Sequence, residues 1–152
     1  MNKNNKNWNE CVEMLNEICS GEGSWEYALK YSMNEVSTVT EKVKEVAENH
    51  DFTTIEKYDI FMDFYDTLYS RLYHKLEKYW LNGTLSTKII GLSDDGFSDF
   101  LNHIIGHGYD AYCEVMKDWK NAFHYPDYWE SFHYCFEFMW KHNCANVEQI
   151  KK

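Results

Sequence analysis

The sequence has a single proline, Pro126, a single arginine, Arg71, and seven glycines in 152 residues. So little Gly and Pro punctuation argues against a β-sandwich or barrel, which needs frequent turn signals. The lone arginine and a net charge of −10, from 25 acidic and 15 basic side chains, argue against a reader of phosphate backbones, which needs clustered Lys and Arg. No apolar run approaches the ~18–20 residues of a membrane span. The opening, Met1-Asn2-Lys3-Asn4-Asn5-Lys6-Asn7, carries no apolar stretch of the signal-peptide kind. The expectation is a cytoplasmic protein with no membrane and no nucleic-acid partner. The five cysteines, Cys11, Cys19, Cys113, Cys135 and Cys144, are odd in number and form no CxxC pair. That disfavours a disulfide framework and a structural zinc site, and leaves reduced, mostly buried thiols.

What is present in quantity is apolar and aromatic surface, 44% and 18% of the chain, enough for one sizeable core. Apolar residues recur at spacings of three and four throughout, with no sustained alternation, so every element reads as helical. Trp8, Cys11, Val12, Leu15, Ile18 and Cys19 form the first stripe, ended by Ser20-Gly21-Glu22-Gly23. Ser24 caps a second, from Trp25 through Val36 to Val46, with a kink or break expected near Ser37, where Thr38 and Glu41 have capping-box spacing. Mixed charge from Glu41 to Glu48 beside a valine stripe reads as a solvated face. Thr53 and Glu56 open the strongest helical signal, a stripe from Ile55 to Trp80 in a helix of about 28 residues, near 40 Å long. Asn82-Gly83 stops it. After an apolar stretch from Leu85 to Leu92, Ser93 caps a helix carrying Phe97, Phe100, Leu101, Ile104 and Ile105, which Gly106 and Gly108 end. Another element runs from Tyr109 to about Phe123, and the turn His124-Tyr125-Pro126 leads to a last helix from Tyr128 to Trp140. The fold class is therefore all-α: a single compact bundle of about seven helices with one long central helix. It forms one domain, 1–152, with ends fraying near 1–6 and 146–152.

Four features invite a functional reading. Asp94 and Asp95 would serve acid–base work or a cation, yet in a helix's first turn they equally satisfy the dipole and point about 100° apart. His103 and His107, at i and i+4, share a helix face as zinc-binding histidines do. Ile104 stands where a metalloprotease would have glutamate, and a third ligand would have to come from His133, Cys135 or Asp110. The aromatic density from Tyr125 to Trp140 reads as core, or as an interface with Tyr128 and Tyr134 outward. Walker, GxGxxG, GxSxG and kinase signatures are all lacking, so no catalytic residues, metal site or cofactor are assigned.

The motif Ser93-Asp94-Asp95-Gly96-Phe97, followed by Phe100, Ile104-Ile105 and Gly108 and preceded by a long aromatic-rich helix, resembles a family of uncharacterised bacterial helical domains. The resemblance covers Phe52 to Phe123, about half the chain, and more loosely Trp8 to Ile18. Leu101, His103 and His107 stand where that family has Arg, Trp and Gln. The resemblance implies a helical intracellular domain, in some members fused to WGR modules, and brings no settled activity.

Two functions compete on these grounds. The leading one is a non-enzymatic acidic domain that docks on a protein partner, as an immunity, antitoxin-like or defence-counteracting inhibitor does; acidic charge speeds encounter with a basic partner. The alternative is a small metal- or ligand-binding enzyme using Asp94, Asp95, His103 and His107. A homo-oligomer is compatible with either.

Overall fold

The computed structural model describes residues 5–89, 92–126 and 135–136. The protein is all-α, as the apolar spacing predicts. Among the described residues it has six α-helices, α1 (Asn5–Ile18), α2 (Trp25–Lys30), α3 (Glu35–Asn49), α4 (Ile55–Leu81), α5 (Asp94–Gly106) and α6 (Tyr109–Lys117), and two short 3₁₀ helices, Leu85–Thr87 and Trp119–His124. The chain divides into two units, 1–65 with 133–152, and 66–132, and α4 contributes to both.

In the first unit, α1 and α2 pack on α3. Cys11, Met14, Leu15 and Ile18 of α1 and Val39, Val43, Val46 and Ala47 of α3 are fully buried, together with Phe61, Phe64 and Tyr65 of α4. Trp8 meets Phe64 edge-on at 4.7 Å, and Phe136 lies 5.3 Å from Phe61 and 5.0 Å from Tyr65. Burial pushes the Cys11 and Cys135 thiols up to about 12, which suits packing residues rather than nucleophiles. Cys113 departs from the expectation of buried thiols and is exposed.

The break between α2 and α3 falls earlier than the sequence suggests. Ser32 takes the left-handed conformation (φ 55°). The Met33 and Ser32 N–H groups donate back to the Ala28 and Leu29 carbonyls, which closes α2 as a Schellman motif. Asn34 then opens α3 by accepting from the Ser37 N–H at 2.9 Å. Asn outranks Thr as an N-cap, so Thr38 lies inside the helix and the Thr38/Glu41 box is not used. α3 ends with the same device: Asp51 is left-handed (φ 62°), and the Phe52 N–H reaches the Ala47 carbonyl at 2.7 Å. α4 starts on Thr54 rather than Thr53, because the Lys57 N–H donates to Thr54 Oγ1 at 3.1 Å. Its 27 residues match the expected length.

In the second unit, Leu68, Leu72 and Leu76 of α4 are buried with Phe97, Phe100, Leu101, Ile104 and Ile105 of α5 and with Tyr112 and Val115 of α6. Trp80 fastens the connection after α4. Its indole N–H donates to the Leu92 carbonyl at 2.7 Å, and its ring stacks on Phe97 at 4.5 Å. Tyr79 stacks on Trp119 at 3.7 Å. The expected continuous element to Phe123 is interrupted. Asp118 is extended and its carboxylate accepts from the Lys120 N–H, so α6 stops at Lys117 and a 3₁₀ helix follows.

Candidate functional site

α5 begins as its sequence dictates. The Ser93 hydroxyl accepts from the Gly96 N–H at 3.3 Å, and Asp94 and Asp95 occupy the first turn, exposed to solvent. Both carboxylates thus sit where the helix dipole favours negative charge. His103 and His107 lie two turns and more beyond. With a 1.5 Å rise per residue, about 12 Å of helix axis separates Asp95 from His103, so the structure does not bring the four residues to one ligand.

The two histidines do come together. Their Nε2 atoms are 3.3 Å apart, with the rings perpendicular at 4.6 Å between centroids. A hydrogen bond of this kind requires one nitrogen to carry the proton and the other to accept it. His103 is only 4% exposed, while His107 is half-buried. α5 is wrapped on nearly every side: Asn102 and Gly106 are buried too, and the Asn102 amide donates back to the Ser98 carbonyl. The Nε2 separation would also suit two ligands of one tetrahedral zinc, but structural sites take four protein ligands and catalytic ones three. Among the described residues no group of three His, Cys, Asp or Glu side chains is placed to hold a metal.

Beyond His107 the contacts continue outward. Tyr125 packs on its ring at 4.9 Å and donates its hydroxyl to Glu114 Oε1 at 3.2 Å. Burial, and then the Glu114 carboxylate, push the Tyr125 phenol up to about 12. Glu114 also meets His124 Nδ1 at 2.9 Å, and that hydrogen bond holds its carboxyl below the usual range.

Sequence reasoning missed a different histidine. His50, the C-cap of α3, meets Glu10 through Nδ1 at 3.0 Å and Glu17 through Nε2 at 2.7 Å. Burial works against the charged ring, but the hydrogen bonds to Glu17 and Glu10 outweigh it and hold His50 above its ordinary value. A doubly protonated imidazole donates to both carboxylates at once, and its charge suits a helix C-terminus. The signal available in the sequence was Glu10 and Glu17 themselves, seven apart and so on one face of α1.

The sequence also gave no warning of an exposed apolar edge where α2 ends. Leu29 is 49% exposed, Tyr31 56% and Met33 43%. Tyr27 and Tyr31 pair at 4.7 Å, and the Tyr27 hydroxyl donates to Glu22 at 3.4 Å. Tyr128 and Tyr134, which the sequence reading favours as binding residues, lie outside the described residues, as does the proposed helix around them except for buried Cys135 and Phe136. Among the described residues no helix is long and apolar enough to cross a membrane. Comparison of the chain with family models, with curated proteins and with solved structures finds no match, so the resemblance carried by Ser93 to Gly108 rests on those residues alone.

Proposed function

We propose that this chain is an acidic interaction domain that works by docking on another protein. The observation that carries the reading is the solvent-exposed cluster Leu29, Tyr31 and Met33, gathered at the Schellman turn that ends α2. Three large apolar side chains exposed within five residues of chain, with Tyr31 paired to Tyr27 at 4.7 Å, support a contact surface, since large exposed apolar patches mark interaction sites. The net charge of −10 supports the same role, because it steers the domain toward basic surfaces. An inhibitor of the immunity or antitoxin kind, covering a basic surface of its target, is the form of this role that the charge favours. The test is affinity capture from source cells with wild type and with a Leu29→Ser/Met33→Ser variant. A partner retained by the first and lost by the second is the expected result; equal capture by both would reject this surface as the carrier of function.

One observation favours the metal-binding alternative, the 3.3 Å separation of the His103 and His107 Nε2 atoms. Elemental analysis of untagged protein tests it. Stoichiometric zinc or manganese, lost in His103→Ala, would replace the docking reading with the metal one.

A further inference from the structure

The exposed edge has a rim whose chemistry specifies what covers it. In the chain Glu22 and Glu26 precede it and Glu35 follows it in the first turn of α3, against two cations: Lys30 within that span and Lys42 of α3, whose stem packs on Gly23. Lys30 lies with its Nζ 5.5 Å from the centre of the Tyr31 ring. The face of Tyr31 therefore already accommodates a cation, and the neighbouring Tyr27 ring and Glu22 carboxylate extend that surface. Leu29 and Met33 supply the apolar part. A second copy of the chain would bring another −10 and the same acidic rim, and an anionic membrane would repel both.

We propose that the Leu29–Tyr31–Met33 edge binds a basic amphipathic segment of a partner protein, with apolar side chains against Leu29 and Met33 and a lysine or arginine against the tyrosine pair and Glu22. This rests on the docking reading above and adds the partner's chemistry to it. Apolar contact supplies the anchoring and the carboxylates select the sign of charge, so the two contributions respond to different changes.

The experiment uses the full chain and three synthetic helical peptides as probes: one of lysine and leucine in amphipathic register, one with glutamate for every lysine, and one with serine for every leucine. Binding is read by calorimetry at low and at high salt. The lysine–leucine peptide is expected to bind best, to weaken with salt, and to lose about tenfold in affinity in Tyr31→Ala and in Leu29→Ser. Glu22→Gln should flatten the salt dependence. Equal binding of the glutamate peptide would overturn the basic-partner inference while leaving a docking surface in place. Binding untouched by Tyr31→Ala and Leu29→Ser, or no binding by any peptide, would overturn both. Self-association in sedimentation that Leu29→Ser abolishes would make a second copy the occupant, and would also overturn the proposal. Since both side chains are exposed, neither substitution removes core packing.

Discussion

His50 and the His103–His107 pair solve the burial of an imidazole in opposite ways. His50 has a carboxylate on each ring nitrogen, contributed by α1 from 40 and 33 residues away, and these hydrogen bonds raise its pKa and so favour its charged form. His103 has another imidazole opposite its Nε2, four residues on at the C-cap of its own helix. The first arrangement joins two helices and depends on charge. The second joins a helix to its own C-cap. The difference teaches that i, i+4 histidine spacing, the more conspicuous sequence pattern, here pairs two rings with each other, whereas the histidine that meets two carboxylates carries no local signature at all.

That contrast can be broken most forcefully at His103. If the pair is a packing device, His103→Ala leaves a cavity beside α5 and should lower unfolding free energy by ~2–4 kcal/mol in urea titration, with a smaller loss for half-buried His107→Ala. Wild-type stability in His103→Ala would show that the ring is not part of the core.

At His50 the contrast sharpens with pH. Its folded pKa is raised above the unfolded value, so its contribution is complete below the unfolded pKa near 6.5 and is lost as pH rises through the folded value. Wild type should therefore lose stability across that window, and His50→Gln should lose little or none of it. Parallel stability curves for the two proteins would remove the charged imidazole from the account.

The smallest effect belongs to the exposed pair His124–Glu114, whose side chains are 62% and 43% accessible. Glu114 has a lowered pKa, so its contribution is present above the ordinary value and fades as pH falls through the folded one. Glu114→Gln should change stability at neutral pH less than His50→Gln does, a ranking that thermal denaturation of the two variants checks.

Local codes were readable from the sequence and long-range ones were not. Ser93 and Gly83 could be assigned because a cap or a left-handed stop acts within a few residues of itself. The α2–α3 break was misplaced because an Asn cap with a Schellman turn before it competed with a weaker threonine box. Trp80 was read as part of an apolar stripe, but nothing in that stripe announces its hydrogen bond to the Leu92 carbonyl. The exposed edge escaped as well: Leu29 fits the helical spacing, yet it is 49% exposed within α2.

Phe136 has a consequence for the order in which the protein is made. The second unit is one unbroken stretch, 66–132, and its Arg71–Tyr112 hydrogen bond spans 41 residues. The first unit is split, and its Cys135 thiol reaches back 99 residues to the Val36 carbonyl, beside the Phe136 ring that fills the space against Phe61 and Tyr65. During synthesis, α1 to α3 therefore leave the ribosome first and wait longest. Their core stays open until the chain has advanced past Phe136, while every residue of the second unit has already been made. Early emergence and late completion leave Phe61, Tyr65 and the Val36 end of α3 without Cys135 and Phe136 for most of the translation time, and that is the interval in which a chaperone or a misplaced neighbour has access to them.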